Sequence, residues 1–320
     1  MTDLLAPDMF RKADEAALKG ILEISIDDMI EYVHSGLRDL PGYLELYERY
    51  LRQRWNVYEL DFGQDKLDWQ EKMTDEERES FLAIASGFHH GERQVEIELP
   101  VFMIGCDEDH KIFISSQIED EARHVVFFDR FYQEVVGLQG GIMEMLDQSY
   151  QWISETFVGP FGLLAYQAEE LRHDPYDEKA RVRYATNYFL WIEGVLALAV
   201  MKITLGYARR KGFLPGYYTG FTATARDEAR HVQGGMRYLR DAVQKDPKML
   251  NEVFDTLRTI LLMSSTTSRL VYFEPLGLTR DDVLEMLITQ LTRKLNTVGF
   301  DLPDDIQAMV GMISPQLAGG

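Results

Sequence analysis

Along most of this chain apolar residues recur at alternating steps of four and three, the period of a helix that buries one face. From about Thr74 to Ile104 the stripe reads Phe81, Ala85, Phe88, Glu92, Val95, Leu99. Thr74, with Glu76, Glu77 and Glu79 behind it, has the chemistry of a helix start. A second helix is expected over about His110 to Val136, with Ile114, Ile118, Glu121, Val125, Phe128, Tyr132 and Val135 on one face. A third is expected from about Asp177 to Arg210, carrying Val182, Thr186, Phe189, Glu193, Leu196, Val200 and Ile203. Gly212-Phe-Leu-Pro215-Gly interrupts the pattern, and Pro215 suits the first turn of a fourth helix, with Phe221, Ala225, Glu228, Val232, Gly235 and Leu239. Further helices are expected within Ile142–Leu171, near Pro247–Met263 and over Arg280–Leu295, and short ones lead into the body up to about Phe62. Strand signals are nearly absent. The expectation is an all-α helical bundle in which residues 1–320 form one domain.

Each of the four long stripes carries a glutamate where its period calls for an apolar residue. Two of these belong to the pentapeptide Asp-Glu-Ala-Arg-His, found at Asp120–His124 and again at Asp227–His231. Residues three apart on a helix share a face, so Glu121 with His124, and Glu228 with His231, can each aim a carboxylate and an imidazole at one point. Glu92 precedes the first pair and Glu193 the second, so the same unit of two helices occurs twice. One Glu from each of two helices and Glu-x-x-His from each of two others is the donor set of ferritin-like dinuclear bundles.

Four inward carboxylates are very unfavourable without compensation, because an unpaired buried charge costs several kcal/mol. Two divalent cations would neutralise them. Oxygen donors with one imidazole per ion suit iron or manganese better than zinc or calcium. Asp120 and Asp227, each just before a Glu of the pair, are placed to accept the outer N–H of a ligand imidazole, and Arg123 and Arg230 to pair with them. His89 and His90, one turn before Glu92, read as ordinary helix residues.

The formal charge of −20 excludes nucleic acid as a natural partner, since that surface needs a basic face. A single cysteine, Cys106, allows no intramolecular disulfide, and the first residues show no basic region followed by an apolar run. Both point to a cytoplasmic protein. Tyr184 to Met201 approaches membrane-spanning length with Glu193 its one charge. A helix buried in a bundle is apolar all round too, and no membrane span is expected.

Beyond the ligand pattern, Trp55, Glu59-Leu-Asp61-Phe and Asp68-Trp69 resemble the N-terminal segment of the class I ribonucleotide reductase small subunit. That resemblance implies a hydrogen bond from Trp55 to Asp227. Phe128 stands at the position where reductase subunits carry their radical tyrosine, and no tyrosine occurs beyond residue 272. Several stretches instead resemble the ribonucleotide-reductase-like ligand-binding oxidases: Gly91-Glu92-Arg-Gln-Val95, Pro100-Val-Phe-Met103, Tyr188 five residues before Glu193, Glu193-Gly-Val-Leu-Ala-Leu198 and Leu214-Pro-Gly216. This resemblance implies a metal centre of manganese and iron on Glu92, Glu121, His124, Glu193, Glu228 and His231, with a di-iron centre on the same ligands as the alternative. It also implies oxygen activation, an ether cross-link between Val95 and Tyr188, a bound long-chain fatty acid, a homodimer and an external electron donor. The small residues Gly194, Ala197 and Ala199 would leave room for the ligand tail. The short Glu92–Glu121 spacing calls for a tight hairpin around Cys106–His110. Two other readings use the same ligands: the metal subunit of a reductase lacking its usual tyrosine, and a ferroxidase or metal store.

Overall fold

The computed structural model describes residues 12–14, 18–153, 155–265 and 273–313. Among them there is no strand. After a helical turn at Leu18–Ile21, three helices lead in: α1 (Ile26–Asp39), α2 (Tyr43–Gln53) and α3 (Gly63–Glu71). The body consists of α4 (Asp75–Ile104), α5 (Glu108–Phe131), α6 (Ile142–Ser149), α7 (Glu155–His173), α8 (Glu178–Lys211) and α9 (Pro215–Lys245). Outer helices α10 (Met249–Ser265), α11 (Arg280–Thr297) and α12 (Asp304–Ile313) follow. The stretch expected to hold one connecting helix contains two, α6 and α7, separated by a tight turn at Tyr150–Trp152.

Local chemistry sets the starts of the four long helices. Thr74 and Glu77 form a capping box: the Glu77 amide donates to Thr74 Oγ1 at 3.2 Å, and the Thr74 amide to Glu77 Oε2 at 2.9 Å. Asp107 caps α5 through the His110 amide at 3.0 Å. Only residues 105–107 join α4 to α5, the tight hairpin that the short glutamate spacing requires. Asp177 caps α8. At α9, Pro215 takes the first turn, and the orphan amides are met from another helix. Asp65 of α3 accepts from the Gly216 and Tyr217 amides at 2.8 and 2.6 Å, and Asp68 from the Leu214 amide at 2.9 Å. Both carboxylates are fully buried.

α4 lies along α5, and α9 packs on both α1 and α8. The middle of α8, Thr186–Ala197, is wound as a π-helix with i→i+5 hydrogen bonding. Gly235 of α9 touches this stretch so closely that a Cβ there would lie 2.1 Å from Phe189 Cβ. α8 is long and apolar enough to cross a membrane by length and composition, but 83% of its apolar window is buried inside the fold. Helices α7, α9, α10 and α11 cover it.

Candidate metal centre

Four helices bring six donors to one place: Glu92 from α4, Glu121 and His124 from α5, Glu193 from α8, and Glu228 and His231 from α9. All are buried. His124 Nδ1 lies 3.6 Å from Glu92 Oε2, 3.4 Å from Glu121 Oε2 and 3.6 Å from Glu228 Oε1. His231 Nδ1 lies 3.3 Å from Glu121 Oε1, 3.5 Å from Glu193 Oε1 and 3.2 Å from Glu228 Oε2. Donors bonded to one ion at about 2.1 Å sit roughly 3 Å or a little more from one another, which is this spacing. The donors thus form two sets, Glu92–Glu121–His124–Glu228 and Glu121–Glu193–Glu228–His231, able to hold two metal ions. Glu121 and Glu228 belong to both sets and offer one oxygen to each imidazole.

The electrostatics fit cations. Burial, and then the Glu121 charge, push the Glu92 carboxyl well above the usual range. Burial pushes Glu193 up to about 8 and raises Glu228, with Glu121 adding to it. Glu121 runs the other way: burial opposes its charge, but the His231 charge, with both imidazoles close by, holds it well below the usual range. Two imidazoles therefore compensate only part of four carboxylates. His124 Nδ1 and Glu193 Oε2 have no hydrogen-bond partner, although both are buried. Bound cations would satisfy these orphaned atoms.

The imidazoles are fixed from behind. His124 Nε2 donates to Asp227 Oδ2 at 3.2 Å, and His231 Nε2 to Asp120 Oδ2 at 3.1 Å. Each aspartate thus serves the imidazole of the other pentapeptide and leaves Nδ1 facing the cluster. Trp55 Nε1 donates to Asp227 Oδ2 at 2.7 Å. Arg230 bonds Asp120 at 2.7 Å and Asp227 at 2.8 Å, and Arg123 bonds both aspartates as well. Burial raises the Asp227 carboxyl, but Arg230 and Arg123 outweigh it and hold it well below the usual range.

Tyr188 reaches the cluster because α8 is π-wound. On an ideal α-helix a residue five before Glu193 points about 140° away from it. With i→i+5 winding, five residues make roughly one turn. The Tyr188 hydroxyl donates to Glu121 Oε1 at 2.9 Å. It accepts from Gln117 Nε2 at 2.8 Å, and the same amide donates to Glu193 Oε1 at 3.0 Å. Gln117 is absent from the expectations drawn from sequence. It lies one turn before Glu121 on the ligand-bearing face, and only its burial in the structure sets it apart from a surface glutamine at the same spacing. Val95 and Tyr188 line one small apolar cavity of about 30 Å³ with Phe88, Gly91, Ile192, Leu196 and Ala197, and the four glutamates of the cluster form its floor. Phe161 of α7 closes over it, its ring so near Gly91 that a Cβ there would come within 2.7 Å. Of the small residues after Glu193, Ala197 does line the cavity. The space beside Gly194 is filled by the Lys294 stem, 3.1 Å from where a Cβ would be. His89 and His90 lie outside the cluster, His89 against Phe128 and Tyr132, and His90 on Ser149 Oγ at 3.1 Å. Phe128 is buried between Phe88 and Phe221.

The fold has close counterparts. An R2-like ligand-binding oxidase from Sulfolobus acidocaldarius superposes with a TM-score of 0.70 at 21% identity, over 82% of this chain and 92% of that one. A variant of an R2-like ligand-binding oxidase with an anaerobically reconstituted Mn/Fe cofactor gives 0.68 at 24% identity, over 78% and 92%. Another with an aerobically reconstituted Mn/Fe cofactor gives 0.64 at 21%, over 86% and 90%. Residues 39–287 match the model of the family described as "Ribonucleotide reductase, small chain". With the match spanning most of the chain and the paired Glu-x-x-His helices converging as that fold requires, the protein belongs to the ribonucleotide reductase small-chain family.

Proposed function

We propose that this chain is an oxidase of that family, in which Glu92, Glu121, His124, Glu193, Glu228 and His231 hold two metal ions, manganese with iron or two irons. The observation that carries the reading is the pair of buried donor sets sharing Glu121 and Glu228 beneath an apolar cavity. When bound, the ions would supply activation of dioxygen and a two-electron oxidation of a C–H bond. The protein's residues do the positioning. Asp120 and Asp227 hold the imidazoles in the tautomer that frees Nδ1. The apolar walls keep water off the reacting bond. Gln117 orients Tyr188, whose phenolic proton is already directed at Glu121.

Val95 and Tyr188 are the residues on which we expect the oxidation to be recorded. An ether bond forms from the Tyr188 oxygen to Val95 Cβ, and the phenolic hydrogen and the Cβ hydrogen leave as two protons and two electrons, which reduce dioxygen. A long-chain fatty acid is the proposed ligand, its carboxylate toward the ions, and its tail would enter where Phe161 now closes over the cavity and so requires that ring to swing aside. The resident state is a cytoplasmic homodimer of single-domain chains, reduced by an external electron donor. The test is metal analysis together with intact mass before and after oxygen. Protein loaded with manganese and iron should become lighter by two hydrogen atoms and yield a linked Val95–Tyr188 peptide. An unchanged mass in fully loaded protein would remove the cross-link, and failure to bind two ions per chain would remove the oxidase.

One observation favours a second reading. Trp55, Asp227 and His124 form a continuous hydrogen-bonded line from the N-terminal segment to the cluster, as the metal subunit of a ribonucleotide reductase would need. Nucleotide reduction on adding a reductase large subunit would establish that role.

A further inference from the structure

Two turns beyond His124 the same helical run reaches Tyr132, which is fully buried. Its hydroxyl is hydrogen-bonded to Ser86 Oγ at 2.6 Å. Its ring lies parallel to Trp152, with centroids 6.2 Å apart and planes 2° from parallel, and Trp152 is partly exposed at the surface. Another neighbour of its ring is His89, with centroids 5.3 Å apart, and both ring nitrogens of His89 lack a hydrogen-bond partner. His89 sits one turn before Glu92 on α4. At about 1.5 Å per residue, Tyr132 is about 12 Å along the helix from His124.

We infer that Ser86, His89, Tyr132 and Trp152 form a one-electron relay between the protein surface and the carboxylate cluster. Its inner end rests on the oxidase reading above, while its own competence does not. Phenol and indole are the side chains that yield an electron most readily, and here one of each is stacked between the cluster and solvent. Burial raises the Tyr132 phenol well above its usual range, so at rest it keeps its proton and must release it with the electron. Burial likewise brings His89 down to about 3, so at rest its ring is neutral and one nitrogen is free to take a proton. An oxidised phenol is a far stronger acid than an imidazolium, so His89 remains an adequate acceptor.

The step balances as follows. Tyr132 gives one electron to the oxidised metal pair, or to any one-electron oxidant placed near it. Its phenolic proton crosses to Ser86 Oγ along their hydrogen bond, and the serine's own proton goes to His89, whose unpartnered ring packs against the phenol and must rotate to bring a nitrogen onto Ser86 Oγ. Trp152 then returns an electron to Tyr132, and the protons return from His89 and Ser86 Oγ to restore the phenol. A one-electron reductant in solvent restores Trp152, so the net transfer is one electron from solvent to the cluster. Such a path would drain oxidising equivalents formed when no substrate is bound.

The test uses metal-free, full-length protein with a ruthenium photosensitiser tethered at exposed position 151 through Gln151→Cys, Cys106 being buried. A flash in the presence of an irreversible electron acceptor should give a phenoxyl radical by electron paramagnetic resonance. Tyr132→Phe should replace that signal with an indole radical, and Trp152→Phe should lower the phenoxyl yield several-fold. Ser86→Ala should lower the phenoxyl yield, because the proton loses its first acceptor, and should shift the g-value of the radical that remains, because it loses a hydrogen bond, a change that misfolding would not produce. A phenoxyl signal of unchanged yield in Tyr132→Phe, or in Trp152→Phe, would overturn the relay. Oxygen uptake by the metal-loaded protein is measured separately, so a failed oxidase and a failed relay give different results.

Discussion

At the scale of single residues, the centre depends on groups that never touch an ion. Asp120 holds His231, and Asp227 holds His124, while Arg123 and Arg230 tie the two aspartates together. Replacing Asp120 by Asn leaves the shape but weakens the acceptor for His231. We expect metal affinity at that position to fall about 10- to 100-fold in a competition titration with a chelator. Replacing Asp227 by Ala leaves two buried guanidiniums to share Asp120 and takes the acceptor from Trp55 and His124, and should lower stability by about 3–5 kcal/mol in denaturant unfolding. Tyr188→Phe should bind both metals yet show no mass change on oxygenation. The six donors were legible because a glutamate in an apolar stripe contradicts its neighbours, and two identical pentapeptides make the contradiction systematic. Gln117 was not, because a glutamine at helical spacing looks the same whether it faces water or a ligand.

At the scale of elements, the π-wound middle of α8 is the feature that periodicity hides. The stripe through Val182, Phe189, Glu193 and Leu196 fits an ordinary helix. The rewinding that turns Tyr188 toward Glu121 is settled by packing against α9 and α11, which no local pattern records. Gly235 is where α9 meets that stretch, and Gly235→Ala would press a methyl into Phe189. We expect a loss of about 1–3 kcal/mol from overpacking, with metal content falling because Glu193 rides on the displaced segment. Thermal melting and metal analysis of the same variant check both halves. Helix starts were readable for a simpler reason: Thr74, Asp107, Asp177 and Pro215 act within a few residues. The amides at the start of α9 were not, because their acceptors, Asp65 and Asp68, lie about 150 residues away in sequence.

At the scale of the whole molecule, the cluster links folding to protons and to metal. Glu92 and Glu228 are held above their ordinary 4.5, and Glu193 is lifted to about 8. The imidazoles His124 and His231 are also raised: burial opposes their charge, but Glu92 and Glu228 respectively outweigh it. In each case the folded chain binds its proton more tightly than the unfolded chain does. Without metal, stability from these groups is therefore present at low pH and lost as pH rises from 4.5 toward about 8. Burial drives His34, His89 and His110 the other way, adding stability as pH rises to about 6.5, so the two sets offset up to there and the melting temperature of metal-free protein should fall between about 6.5 and about 8. Adding manganese and iron should reverse the trend and release protons into an unbuffered solution, as read by a pH electrode.

The repeat that builds the centre is not a perfect one. Each ion position has its own hairpin's glutamate and histidine, Glu92 with His124 and Glu193 with His231, and they share the rest. The Gln117 amide touches the second position and not the first. The seats differ in their polar surroundings, Gln117 and Tyr188 at the second and Trp55 behind the aspartate of the first, and a protein offered a mixture of cations has a chemical basis for seating unlike ions in a fixed order.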